Sequence, residues 1–358
     1  MTSQLTTAEP TRHEQPTVKV KGLTHLIFER PDVKLAQRFL HDFGLISVPS
    51  NSEDHFLKGA DSRPYCYILR PGPSARFIGL GFQVDSRDDL HTLSSLPGAS
   101  LITKSQRPGG GDMIQLVDPS GFLVEILYGQ TDATEPPSRS PLPINSPQET
   151  RRIDSFQRPP HSSPEVIRLG HVVLEVADFQ ATCCWYTKHL GLIPSDVQVL
   201  PDGSPAVAFL RLNQGDIPTD HHTLALAQGF MATYSHSAYE VVDTDAVGMG
   251  QRILRDRGWK HAWGMGRHIL GSQVFDYWQD PWGSKHEHYC DGDLLTSRMR
   301  TGVHSVSRDA MSQWGPLMPT SFTRPKVTLN GIAALVRNLR KSPDLTIRKL
   351  VSLAKIFS

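Results

Sequence analysis

The sequence predicts an α+β protein in which tandem βαβββ modules pair into two domains with concave mixed sheets. Two observations predict it. The first is a repeated order of signals: a strand, a helix and then strands occurs twice in the first half of the chain and twice again in the second. The second is a set of echoes between the halves. Leu23-Thr24-His25 is answered by Leu169-Gly170-His171, Gln83-Val84-Asp85 by Val241-Val242-Asp243, and Asp118-Pro119-Ser120-Gly121 by Asp280-Pro281-Trp282-Gly283. A glutamate follows the glycine of that last turn by four positions in both halves, as Glu125 and Glu287. So long a period indicates a duplicated domain, not a solenoid.

Taken in order, residues 1–18 are rich in Thr, Glu, Gln and Pro and are expected to be a disordered tail. A first domain is expected over 19–130. It opens with a strand at 23–28, followed by a helix that starts at Pro31-Asp32, carries Leu35 and Phe39 and stops at Gly44. Strands at 65–70, 77–84, 113–117 and 122–127 complete it. Residues 131–164 are Pro- and Ser-rich and read as a linker. A second domain is expected over 165–293. Its first helix is expected to be capped by Asp178 and to place Phe179, Cys183, Tyr186 and Leu190 on one face before Gly191. In its second helix Asp245 is the expected cap of a stripe formed by Ala246, Gly250, Ile253 and Leu254. Over 294–358 the pattern lapses, and a basic amphipathic helical segment at 332–357 is expected to pack on the body more readily than on a membrane.

A chain of 358 residues can bury two cores. With 37 basic and 36 acidic side chains it has no electrostatic footprint for nucleic acid, so small-molecule chemistry is the better expectation. Four cysteines without a CxxC pair argue against a disulfide framework or a zinc knuckle. The start lacks a secretory apolar region, and no apolar run is long enough to span a bilayer, so a cytoplasmic protein is expected.

The candidate site lies between His171 and Glu287. Alternation along a strand puts His171 on a face with Val173 and Glu175, His236 with Ala238 and Glu240, and Glu287 with Lys285 and Tyr289. If the two modules pair, His171, His236 and Glu287 converge on one sheet. Two imidazoles and a carboxylate suit a divalent first-row metal and leave coordination positions open. The duplication sharpens this reading. His171 to His236 spans 65 positions and His236 to Glu287 51, while His25 to Gly79 spans 54 and Gly79 to Glu125 46. The first half therefore keeps a histidine and a glutamate but has Gly79 in place of the second histidine, and is expected to be metal-free. His222, expected to share a strand face with Leu224 and Leu226, is a further candidate, as are His268 and Tyr277. Composition leaves these three open between ordinary polar residues and proton carriers.

Over residues 20–293 the chain resembles the two-domain extradiol ring-cleaving dioxygenases of the vicinal oxygen chelate superfamily, the metapyrocatechase and dihydroxybiphenyl dioxygenase group. The carriers are Leu169-Gly170-His171-Val172-Val173-Leu174, His221-His222-Thr223-Leu224-Ala225, His236-Ser237-Ala238-Tyr239-Glu240-Val241, Gly266-Arg267-His268-Ile269-Leu270-Gly271-Ser272 and the block from Phe275 to Tyr289. The resemblance implies that His171, His236 and Glu287 bind Fe(II), or Mn(II) in some members, with O2 as co-substrate and a catechol-type molecule as substrate. It implies that His222 is the acid/base, that His268 and Tyr277 are hydrogen-bond donors beside the catechol, and that Val173 lines the dioxygen pocket. A homo-oligomer is also expected. The alternatives on the same fold are a glyoxalase-like non-redox metalloenzyme, which usually needs a fourth protein ligand, and a metal-free binding or resistance protein, which lacks the triad. The longer linker and C-terminal segment depart from the bacterial members and look like a eukaryotic relative, for which secondary metabolism is as open as aromatic degradation.

Overall fold

The computed structural model describes residues 10–323 and 329–357. The first module is β1 (Gly22–Arg30), α1 (Val33–Phe43), β2 (Ile46–Val48), β3 (His55–Lys58) and β4 (Tyr67–Pro71). The second is β5 (Arg76–Gln83), α2 (Arg87–Ser94), β6 (Thr103–Lys104), β7 (Asp112–Val117) and β8 (Leu123–Tyr128). The second half repeats the plan with β9 (Val166–Val176), α3 (Phe179–His189), β10 (Ile193–Val199), β11 (Pro205–Arg211), β12 (Thr219–Asp220) and β13 (Leu224–Gln228). Its second module is β14 (Thr233–Val241), α4 (Thr244–Asp256), β15 (Lys260–Arg267), β16 (Val274–Gln279) and β17 (Lys285–Cys290). The chain ends with β18 (Leu294–Leu295), β19 (Gly302–Ser305), α5 (Thr320–Thr323), α6 (Leu329–Lys341) and α7 (Ile347–Phe357).

Each half forms one mixed sheet. The first runs β2-β3-β4-β1-β5-β8-β7-β6 and the second β15-β16-β17-β14-β9-β13-β11-β10-β19. In both, the leading strands of the two modules pair antiparallel at the centre (β1 with β5, β9 with β14), and each has a parallel neighbour outside. The tail expected to be disordered over 1–18 lies partly outside the described residues, as 1–9. From Arg12 onward it is tied down: Arg12 donates to the Ser297 carbonyl at 2.9 Å, and Thr17 N–H to Lys188 at 2.7 Å. The segment after Asp293 is likewise more than a lapse, since β19 adds a parallel edge strand to the second sheet beside β10. No helix among the described residues is long and apolar enough to cross a membrane.

Helix α1 forms as expected. Asp32 accepts from Leu35 N–H at 2.9 Å, Ala36, Phe39, Leu40 and Phe43 face the core, and Gly44 closes the end at φ 107°, where a side chain would be strained. Two cap expectations need correction. Asp178 stands at the N-cap of α3 but makes no side-chain capping bond; its carbonyl takes both the N–H and the hydroxyl of Thr182. The cap of α4 is Asp243, not Asp245. It accepts from Ala246 N–H at 2.9 Å and from the linker's Arg139 guanidinium at 2.7 Å, and a bidentate arginine locks it in place.

The two halves share one core, and the duplicated turns fasten them reciprocally. Asp280 of the second domain holds buried Arg30 of the first at 2.7 Å, while Asp118 of the first accepts the Tyr186 hydroxyl of the second at 3.0 Å.

Candidate metal centre

Strand register decides which side chains meet. Across β9, β14 and β17, His171 lies opposite Ala238, and Ala238 opposite Glu287. His236 is two residues before Ala238, so it projects from the same face one step along. The ligand atoms of His171, His236 and Glu287 all lie within 4.8 Å of one another, the one such group found among the described residues. His171 Nε2 is 3.4 Å and His236 Nε2 3.7 Å from Glu287 Oε2. Ligand atoms ~2.1 Å from a common ion at right angles sit about 3 Å apart, so the three need little movement to share one.

The donor set fits a cation. Glu287 is completely buried, yet neither carboxylate oxygen has a hydrogen-bond partner among the described residues. Burial alone would push its pKa up, but the neighbouring His171 and His268 outweigh that and hold it well below the ordinary carboxylate range. Burial pushes the pKa of His236 well down, which keeps its imidazole neutral, the form that binds a metal. A fully buried carboxylate with no hydrogen-bond partner among the described residues is a place where a cation is favoured.

The first domain shows what happens where the charge is supplied otherwise. There His25 lies opposite Gly81, and Gly81 opposite Glu125, so Gly79 occupies the place of His236. A Cβ at position 79 would collide with the Leu123 carbonyl, so no side chain fits. The carboxylate of Glu125 is held instead by His25 Nε2 at 2.9 Å, by Gln115 Nε2 at 3.1 Å and by both arms of the Arg107 guanidinium. Gln115 pairs with Glu125 across the ladder as Tyr277 pairs with Glu287.

The expected proton carriers gather at the second site. The His222 ring lies 3.9 Å from that of His171. It does not share a face with Leu224 and Leu226, as the alternation implies. His222 sits in a bend before β13, whose cavity side is Ala225 and Ala227, while the two leucines are buried in the core. Burial pushes its pKa well below the ordinary value, so it stands neutral. His268 Nε2 is 2.9 Å from the Tyr277 hydroxyl, and its Nδ1–H donates to the Met311 carbonyl at 2.8 Å. In that tautomer Nε2 accepts the tyrosine proton. Burial and the nearby Glu287 raise the Tyr277 pKa well above 10, so the hydroxyl stays protonated. Val173 pairs with His236 across the ladder and lines the same space.

That space is a cavity of about 650 Å³ whose wall is mostly apolar. Sheet residues such as Val173, Phe209, Ala225 and Ala227 form its floor. The C-terminal segment forms much of the rest, through Met311, Met318, Phe322, Leu350, Leu353 and Ala354. The sequence showed the apolar stripe of α7 but not where it docks. Asp196, His221 and His304, which extend the site behind His222, carried no spacing signal beyond the adjacency of His221 to His222.

Residues 168–287 match the model of the glyoxalase/bleomycin resistance protein/dioxygenase superfamily. The chain is 31% identical over 314 residues to metapyrocatechase 2 of Cupriavidus necator, covering 87% of this chain and 93% of that one. It is 29% identical to the 3-methylcatechol 2,3-dioxygenase of Pseudomonas putida, over 59% of this chain and 69% of the other. Among solved structures, homoprotocatechuate 2,3-dioxygenase from Arthrobacter globiformis superposes with a TM-score of 0.69 at 19% identity, over 89% of this chain and 96% of that one. A Mn(II)-bound glyoxalase from Novosphingobium aromaticivorans gives 0.70 at 22%, over 87% and 96%. Both structures share the fold.

Proposed function

The chain belongs to the glyoxalase/bleomycin resistance protein/dioxygenase superfamily as a two-domain extradiol ring-cleaving dioxygenase, and on that premise we propose how its residues divide the work. His171, His236 and Glu287 hold one Fe(II), with Mn(II) the alternative ion. When bound, such an ion supplies a redox-active Lewis acid with open positions for two adjacent ring hydroxyls and for O2, both atoms of which enter the product. Neutral His222 takes the proton of one ring hydroxyl and returns it as the ring opens. Tyr277, whose own proton goes to His268, accepts the proton that the other ring hydroxyl keeps and so fixes the ring's orientation. Val173 keeps the space beside His236 small and apolar.

One observation carries this reading. The His171 and His236 imidazoles line the same apolar cavity as His222, His268 and Tyr277, and they sit against a buried carboxylate, Glu287, that has no hydrogen-bond partner among the described residues. The cavity also supports a substrate class. A void of roughly 150 Å³ suffices for a single benzene ring, and about 650 Å³ with an apolar wall suits a catechol bearing a bulky apolar substituent. A non-redox isomerase on this fold would need a fourth side-chain ligand, whereas the group comprises three among the described residues.

The test is anaerobic reconstitution with Fe(II) or Mn(II), followed by oxygen-electrode traces with catechol and with alkyl- and aryl-substituted catechols. We expect one O2 consumed per catechol, a yellow ring-opened product and the highest kcat/KM for apolar-substituted rings. A full complement of iron with no uptake on any catechol would sink the reading.

A further inference from the structure

We propose that Asp196 and His221 are positioning residues that fix the tautomer of His222, and that His304, on the strand added by the C-terminal segment, holds Asp196 in place for that task. The inference rests on the role given to His222 above and adds the residues that make the role possible.

The argument is one of donors and acceptors. His221 Nε2 lies 2.6 Å from Asp196 Oδ2. A carboxylate only accepts, so the His221 proton is on Nε2, and in the neutral ring its Nδ1 is then an acceptor. That Nδ1 is 3.1 Å from His222 Nδ1, which must therefore be the donor. His222 is left with its lone pair on Nε2, the nitrogen free to face the cavity it lines. The opposite tautomer of His221 would set a nitrogen lone pair against a carboxylate at 2.6 Å. One carboxylate two rings away thus selects the basic form of the catalytic nitrogen.

The arrangement is built into the fold. The β10–β11 ladder shifts register between Pro194 and Asp196, and the bulge re-aims the Asp196 side chain. Its other oxygen is 2.8 Å from His304 Nε2. Gly302, opposite Asp196 on β19, has no room for a side chain, because a Cβ there would run into the carboxylate and the His304 ring. The backbone of His221 is pinned from both sides: its N–H donates to the Asp293 carbonyl at 2.9 Å, and its carbonyl accepts the Ser195 hydroxyl at 2.6 Å. Phe209 packs against both imidazoles.

The test uses the full-length chain labelled with ¹⁵N-histidine and loaded with diamagnetic Zn(II), read by long-range ¹H–¹⁵N correlation spectra. The wild type should show His222 protonated on Nδ1. In Asp196→Asn an amide donor can face His221 Nε2, which reverses every donor along the row, so His222 should move its proton to Nε2. The Fe(II)-loaded variant should then lose roughly 10²–10⁴-fold in kcat, the scale of a wrong-tautomer defect in a catalytic triad, with iron content and KM little changed. His304→Gln should give a smaller loss in the same direction. If Asp196→Asn does not fold, His221→Phe, which removes the acceptor, should show both His222 tautomers in the same spectrum. A wild-type His222 protonated on Nε2, or a variant spectrum unchanged from wild type, overturns the proposal. A wild type that consumes no O2 with any catechol defeats the functional reading instead and leaves the spectrum to decide the tautomer separately.

Discussion

The same carboxylate position is used twice in this chain with different counter-cations. Glu287 faces the His171 and His236 imidazoles and lacks a hydrogen-bond partner among the described residues, whereas Glu125 is wrapped by His25, Gln115 and a bidentate Arg107. Burial would raise the pKa of Glu125, but His25 and Arg107 reverse this and hold it well below the carboxylate range. Removing one partner of a buried ion pair strands the other charge. Arg107→Met should therefore destabilise the protein by roughly 3–5 kcal/mol in denaturant unfolding, while the folded fraction keeps its bound metal and its kcat. His236→Ala should do the reverse, abolishing tight metal binding in equilibrium dialysis with a smaller effect on unfolding. The three residues of the metal-type group were legible because a duplicated sequence supplies its own control: Gly79 against His236 marks which copy has a second ligand. Asp196 and Met311 were not, since what they do depends on a bulge and a carbonyl that no side-chain pattern reports.

At the scale of elements, periodicity located the central strands of both sheets and the buried faces of α1 and α4, but it did not mark β2, β3, β6, β10, β11 or β19. Gly302-Val303-His304-Ser305 is short and mostly exposed, and its partner strand lies more than a hundred residues earlier, so neither alternation nor a turn signal marks it. The apolar stripe of α7 was visible; that it closes the cavity was not. Lys349 anchors that helix by donating to Gln228 Oε1 at 2.9 Å, and Ser342, just before it, donates to the Ala177 carbonyl at 2.8 Å. Leu350, Leu353 and Ala354 then face the substrate space. Burying one leucine side chain is worth about 1.5–3 kcal/mol. A chain truncated after Lys341 should thus lose about tenfold or more in kcat/KM for catechols with large apolar substituents, and much less for catechol itself. Equal losses for both substrates would mean that α7 supports the fold and not the selectivity. Leu353→Trp offers the complementary steady-state comparison, because filling the cavity should penalise the bulkiest ring alone.

For the whole molecule, the strand that carries Glu287 also joins the two domains. His286 and His288 flank it in sequence and point to the opposite face, into the seam. His286 sits among Phe28, Phe39, Phe43 and Tyr67, and His288 stacks on Phe43 at 3.8 Å and donates its Nε2–H to the Phe43 carbonyl at 2.7 Å. Burial pushes both pKa values down to about 4 from the ordinary 6.5. Between those limits the unfolded chain binds more protons than the native one. The stability these two contribute is therefore complete above about pH 6.5 and is lost as pH falls toward 4, by about 3 kcal/mol for each histidine. Asp118, whose pKa burial raises to about 6, works in the other direction, favouring the native state as pH falls through that value. The total slope thus mixes signs, and the difference between two proteins isolates one group. His288→Phe keeps the stack on Phe43 and removes one titration. Its loss of the hydrogen bond to Phe43 is the same at every pH, so its stability relative to wild type should rise as pH is lowered from 6.5 to 4.5 in urea unfolding. A constant offset across that range would mean that protonation of His288 does not contribute to the loss of stability at low pH.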